Sequence, residues 1–295
     1  MSSPLFFPAQ RAAAGGAPGR MAFLTGPAPS RYCWREMKLL VLCPIPVEYA
    51  ACRFALSLRD LPAITGRRAC YGRVGKAEVF ALEAGPGKAR AAATAAFGIQ
   101  RVGPDLVLDS GSCAGIEPGT SIGEIVAARE CFEVDLAGTP FPRRVLPEMR
   151  LESAFGFLPR EAAAELQREA VELASSGGWG LRVGNQACGE FLIHSEPLRA
   201  ELHGIFQAAA GNWETAGVFI AALKASLPAL SFRVITDLGN QYALRDFLKQ
   251  VKSRSRELYR FLGQLAVSGW FERFMEHWGR LEQSILDGLP YRVLP

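Results

Sequence analysis

The sequence predicts a three-layer αβα sandwich around a central, mixed and largely buried sheet. Three observations carry this expectation. Short apolar runs rich in Val and Leu alternate with helical patterns along most of the chain. Several of those runs stop at Gly/Ser loops that carry polar residues, as strands do when their ends open onto a ligand crevice. The chain has 295 residues, 49% hydrophobic and 21% charged, which is enough apolar material to cover both faces of a sheet.

The elements follow in order. "KLLVLCP" (38 to 44) is a continuous apolar run closed by Pro, the pattern of a strand buried on both faces. "VEYAACRFAL" has helical spacing. "ACYGRVGKAEVFALEAG" reads as a hairpin turning near Gly75, and its second strand leads into "GPGKARAAATAAFGIQ", a Gly-rich bend opening an Ala-rich helix. "PDLVLDSGSCAG" is a buried strand ending in small residues, and "IGEIVAARECFEV" is a further strand. Next come the amphipathic helix "PREAAAELQREAVELASS", the strand "GLRVGNQACG" and the helix "SEPLRAELHGIFQ". "NWETAGVFIAAL" reads as a buried helix capped by Asn212, with Glu214 in its first turn. "SFRVITDLG" is a strand, and a long helical region starts near Leu244. Residues 1–36, rich in Pro, Gly and Ala, read as a flexible N-terminal segment, or as sequence upstream of a true start at Met37. Residues 37–268 form the main domain. Residues 269–295 read as a C-terminal helical extension whose Trp, Phe and Met residues suit core or oligomer contact.

Composition narrows the function. A net charge of +4 from dispersed basic residues lacks the stripe of a nucleic-acid binder. No apolar run suggests a membrane span or a signal peptide. The seven cysteines are odd in number and without CxxC spacing, which favours reduced thiols and a cytoplasmic protein. The three histidines form no metal-binding pair and no Cys/His cluster has zinc spacing, so no metal is expected; the carboxylate chemistry set out below requires no cofactor either. His194 reads as a solvated or backbone-paired loop residue, and Cys113 and Cys188 as packing residues.

Four polar features remain, each at a strand end or helix start: Glu48 in "CPIPVEYA", the loop "EAGPGKARAAA", the loop "DSGSCAGIEPG", and the pair Glu214 and Asp237. Each alone has a bland explanation. A first-turn acid suits the helix dipole, an aspartate at a strand end suits a turn, and a Gly-rich bend can turn tightly without cradling anything.

In order and spacing, "AGPGKARAAA", "PDLVLDSGSCAGIEPGTSIGEIV", "NWETAGVFIAAL" and "VITDLGN" resemble the nucleoside phosphorylase and nucleosidase superfamily, closest to the 5'-methylthioadenosine/S-adenosylhomocysteine nucleosidases. The resemblance runs from about Met37 to Gly263. It implies that Glu214 accepts hydrogen bonds from the ribose 2'- and 3'-hydroxyls, that Asp237 gives a proton or strong hydrogen bond to purine N7, and that Glu48 deprotonates the attacking water. It places Phe191, Leu192 and Ile193 against the base, and Gly85 and Trp213 at the substrate. It also implies a homodimer or larger homo-oligomer. The chemistry is coherent with these residue types. Breaking an N-glycosidic bond builds positive charge on the sugar and negative charge on the base, so it needs an acid near the base and carboxylates near the sugar.

The sequence departs from the family pattern at Trp213 (usually Met), Ala84 (Ser or Thr), Glu190 (Asp) and Asn240 (Asp). Altered substrate choice is the expectation, with methylthioadenosine, S-adenosylhomocysteine and futalosine all open. The expected activity is hydrolysis of a 5'-modified purine nucleoside. A phosphate-dependent phosphorylase and a non-catalytic nucleoside-binding module are the alternatives.

Overall fold

The computed structural model describes residues 36–64, 66–138 and 149–286. A mixed ten-stranded sheet carries helices on both faces. Its first half is β1 (Lys38–Cys43), flanked by parallel partners β4 (Ala77–Glu83) and β5 (Leu106–Gly115). Beyond β4 the sheet continues antiparallel through β3 (Arg67–Val74) and β2 (Arg59–Ile64). Gly75, at φ +59°, makes the tight turn between β3 and β4. Most of β1 and β5 is buried, which is why both read as unbroken apolar or small-residue runs.

The second half curls. β5 pairs with β10 (Ala229–Asp237) on one side and, at its far end, with β9 (Ala208–Asn212). β9 pairs with β8 (Leu181–Cys188), β8 with β6 (Ile125–Glu133), and β6 returns to β10. Five strands thus close a ring at one end of the sandwich, with the short β7 (Arg150–Glu152) added to β6. The ring draws the C-terminal ends of β5, β9 and β10 together.

On one face lie α1 (Pro46–Ala55), α4 (Arg160–Ser176), α7 (Ala243–Val267) and α8 (Trp270–Leu286), packed over a continuous apolar core. Trp270, Phe271 and Phe274 of α8 are fully buried in that same core, so the C-terminal helix completes the layer. On the other face, α2 (Lys88–Val102) and α6 (Thr215–Lys224) cover a second cluster. These two helices cross closely because α6 carries Gly217: a Cβ there would lie 2.2 Å from the Lys88 carbonyl oxygen. α5 (Glu196–Phe206) packs beside β8 and β9, and α3 (Ala154–Phe157) is a single turn. No helix among the described residues is long and apolar enough to cross a membrane. Residues 1–35 and 287–295, which hold most of the expected N-terminal segment and the end of the C-terminal extension, lie outside the described residues.

Strands β2, β7 and β9 were not legible in the sequence. β9 has the composition "AAAGN", with no β-branched or aromatic residue, and is extended because it is wedged between β5 and β8, where all five residues are buried.

Candidate active site

A cavity of about 190 Å³ opens where α1, the Gly-rich loop before α2, and the ends of β5, β9 and β10 converge. Glu48, Glu214 and Asp237, 189 residues apart from first to last, all line it. Trp213, Phe191, Leu192 and Ile193 line it too, together with Pro86, Ser112, Leu244 and Phe247. Gly85 does not. It turns the loop at φ +87°, with the Arg67 guanidinium packed where a Cβ would project, and Pro86 is the loop residue that faces the cavity.

Glu48 sits in the first turn of α1, behind Pro46. Its Oε1 accepts from the Ser112 N–H at 2.7 Å and the Ser112 Oγ at 2.6 Å, and its Oε2 accepts from the Ile45 N–H at 3.1 Å. Gly111 makes this approach possible: at φ +140° its missing Cβ would meet the Glu48 carboxyl carbon at 3.1 Å and Pro44 at 3.0 Å. Burial pushes the Glu48 carboxyl up to about 7, against the lowering effect of Ser112 and Arg233. It is therefore half protonated near neutrality and able to take a proton from a bound water.

Asp237 is the last residue of β10. The register between β10 and β5 slips between Ile235 and Asp237, and this irregularity re-aims the strand end at the cavity. Oδ1 accepts from the Gly239 N–H at 3.1 Å and Oδ2 from Thr236 Oγ1 at 3.2 Å. Burial raises its carboxyl to about 6, so a protonated fraction persists close to neutral pH.

Glu214 is displaced from its expected place. The helix starts at Thr215, so Glu214 precedes the first turn, and its side chain caps nothing in α6. Asn212 does that work, its Oδ1 accepting from the N–H groups of Glu214 (3.1 Å) and Thr215 (2.9 Å). The Glu214 carboxylate instead crosses to the neighbouring helix. Oε1 accepts from the Gly87 N–H at 3.0 Å and Oε2 from Arg233 Nη1 at 2.9 Å. An acid held from two sides at a cavity wall retains lone pairs for a diol.

Arg233 and Asp109 were missed in the sequence. Both are fully buried and bidentately paired, Arg233 Nη2 to Oδ1 at 2.6 Å and Nε to Oδ2 at 3.0 Å. The only signals were a charged residue inside each of two strand patterns, "LVLDSG" and "SFRVIT". Ser112, which holds Glu48, was visible only as one small residue among others.

The departures from the family pattern also find places. The Trp213 indole N–H donates to the Phe191 carbonyl at 2.8 Å, tying the loop after β8 to the mouth of α6. Glu190 Oε1 accepts from the Lys88 N–H at 2.6 Å, over the first turn of α2. Asn240 Oδ1 accepts from the Tyr242 N–H at 2.9 Å, ahead of α7. His194 Nδ1 pairs with the Leu192 carbonyl at 2.9 Å and is exposed. Cys113 reaches the cavity, but burial lifts its thiol far above the usual range, so it stays protonated. Among the described residues, no group of three or more His, Cys, Asp or Glu could hold a metal ion.

Comparison with known proteins shows the family and the fold. Residues 38–265 match the family model of the phosphorylase superfamily. The chain is 26% identical over 233 residues to a 5'-methylthioadenosine/S-adenosylhomocysteine nucleosidase of Geobacillus thermodenitrificans, covering 75% of this chain and 94% of the relative. It is 23% identical over 239 residues to the enzyme of the same name from Anoxybacillus flavithermus, covering 77% and 97%. Among solved structures it is similar to the Helicobacter pylori 5'-methylthioadenosine/S-adenosylhomocysteine nucleosidase (TM-score 0.67, 21% identity, 77% of this chain and 96% of the other). The H. pylori futalosine hydrolase is similar to the same degree (TM-score 0.67, 22% identity, 78% and 97%). At these identities the structural likeness shows the fold.

Proposed function

The chain belongs to the phosphorylase superfamily, and from that premise we propose that it is an N-ribosyl hydrolase that splits a 5'-modified purine nucleoside into free base and sugar. The observation that carries the reading is the meeting of three differently held carboxylates on one cavity. Glu214, anchored by Arg233 and Gly87, receives the ribose diol. Asp237 protonates or strongly hydrogen-bonds N7 as the bond to the base breaks, which its raised pKa supports. Glu48 positions water on the other side of the sugar and takes its proton. The positive charge that grows on the ribose is met by Glu48 and Glu214. Phe191, Leu192, Ile193 and Trp213 form the apolar wall beside the base and sugar.

Water is favoured over phosphate by the state of the donors. The Ser112 N–H and hydroxyl and the Gly87 N–H, groups suited to an oxyanion, are already taken by Glu48 and Glu214. Lys88 is turned to Glu133 and Asp135, at 3.0 and 2.6 Å. A phosphate dianion entering here would meet two carboxylates and no free cation among the lining residues. By resemblance the protein also assembles as a homo-oligomer, and its scattered cysteines without CxxC spacing favour the cytoplasm.

The test is a panel of purine nucleosides differing at the 5' position, including methylthioadenosine, S-adenosylhomocysteine and futalosine. Release of free base is measured with and without inorganic phosphate. Release in phosphate-free buffer, lost in Asp237→Asn, is the expected result. Strict dependence on phosphate establishes the phosphorylase reading, and tight calorimetric binding of an unchanged nucleoside establishes a binding module.

A further inference from the structure

Beneath the cavity wall lies a buried polar cluster in which Arg233 anchors Glu214 but Asp109 serves none of the roles above. Asp109, fully buried in the middle of β5, accepts four hydrogen bonds: from Thr215 Oγ1 and Ser231 Oγ, each at 2.7 Å, and from Arg233 Nε and Nη2, at 3.0 and 2.6 Å. Arg233 has one nitrogen left, Nη1, which donates to Glu214 Oε2 at 2.9 Å and to the Ser112 carbonyl at 3.2 Å. Three charges therefore sit in line, Asp109, Arg233 and Glu214, all at most 7% exposed. Their sum is one negative charge, and Glu214 alone of the three lines the cavity.

From this arrangement we infer that Asp109 is a positioning residue that sets the electrostatic sign of the ribose-binding end; the inference rests on the hydrolase reading. A buried arginine paired with Glu214 alone would neutralise the carboxylate that meets the sugar, leaving that end of the cavity without net charge. Asp109 claims the guanidinium first and by two bonds, so the arginine can orient Glu214 without cancelling it. Orientation and charge are thereby assigned to different residues. The benefit falls on the transition state, because the bound nucleoside is neutral at the sugar whereas the ring becomes cationic as the glycosidic bond opens. Thr215 and Ser231 complete the device by holding Oδ2, and Thr215, the first helical residue after Glu214, ties Asp109 to α6.

The experiment uses the full chain and two probes without a charged 5' group: an adenine nucleoside analogue whose sugar is replaced by a protonated pyrrolidine, and its uncharged carbocyclic counterpart. Kd is measured calorimetrically for both, and kcat and KM for the best nucleoside of the panel. Asp109→Asn is expected to reduce the preference for the cationic over the neutral probe about tenfold, and kcat about tenfold, with KM and the neutral probe's Kd within about threefold. The double variant Asp109→Asn/Arg233→Met removes one charge of each sign and again leaves one negative charge. It is expected to keep the wild-type preference within about threefold while binding both probes more weakly, because Glu214 has lost its anchor. A merely structural Asp109 would weaken both probes together. An unchanged preference in Asp109→Asn overturns the inference. Replacing a buried ion pair by neutral groups is commonly tolerated, so the double variant decides the matter if Asp109→Asn does not fold. Removal of Arg233 with no compensating part for Asp109 would raise its preference for the cation about tenfold, and such a rise, or a fall of that size, refutes the inference. If the wild-type chain binds neither probe, the hydrolase reading itself fails, and this inference with it.

Discussion

Glu48 offers a way to read the chemistry of the site from stability alone. Its carboxyl is fully buried and raised from the ordinary 4.5 to about 7, so the folded protein prefers it protonated. The associated stability is fully present below the unfolded value of 4.5 and is lost as pH rises through about 7. The gap between those two values, at roughly 1.4 kcal/mol per pH unit, corresponds to about 3 kcal/mol, most of it spanned between pH 5 and pH 8. Glu48→Gln removes the titration. It also removes good hydrogen bonds, because an amide cannot accept on both sides, and its NH2 group must face either Ser112 or Ile45. That loss is the same at every pH and drops out of a comparison between two pH values. Urea unfolding of wild type and variant at pH 5 and pH 8 should therefore show the stability difference moving in favour of the variant by about 2.5 kcal/mol at the higher pH. Base release by the variant should be abolished throughout. Parallel stability profiles for the two proteins would mean that Glu48 titrates as an ordinary carboxylate, and the argument for it as a neutral-pH base would collapse.

Three further outcomes follow from the same geometry. With Glu48 required ionised and Asp237 required protonated, and the Glu48 carboxyl the higher of the two, the active form is a minor fraction and kcat/KM should trace a narrow bell that falls below about 6 and above about 7; a plateau from pH 5 to pH 8 would contradict the assignment. Ser112→Ala deletes the 2.6 Å donor to Glu48 and raises its carboxyl further, so the alkaline break of the bell should climb by about one pH unit, the acid break should stay near the Asp237 value of about 6, and the maximum of kcat/KM should drop. Gly217→Ala places a methyl group against the Lys88 carbonyl, 2.2 Å from its Cβ, so α2 and α6 must separate. A stability loss of about 1–3 kcal/mol with a raised KM is expected, because the Gly87 N–H that holds Glu214 moves with α2, and thermal unfolding with steady-state kinetics would show both.

The layered fold was legible because its central strands are buried on both faces. "KLLVLC" and "LVL" (106–108) admit little but apolar residues, and the helices between them keep a helical period. Glu48, Glu214 and Asp237 were legible as polar residues at strand ends and helix starts, in an order and spacing that resemble one superfamily. Their convergence was not, since it depends on β5 pairing with both β9 and β10 to close the ring. Nor was the way each acid is held. Read from its neighbours alone, Glu214 was a first-turn acid suited to the helix dipole, because local sequence reports only local partners, whereas its partners, Gly87 and Arg233, lie in the loop before α2 and on β10. The sequence by itself determined the central strands and the long helices, though not β2, β7 or β9, and which residue types could do acid–base work. Only the tertiary structure decided which carboxylates are desolvated and which are paired, because burial and long-range hydrogen bonds set the charge each acid carries, and neither is a property of neighbours along the chain.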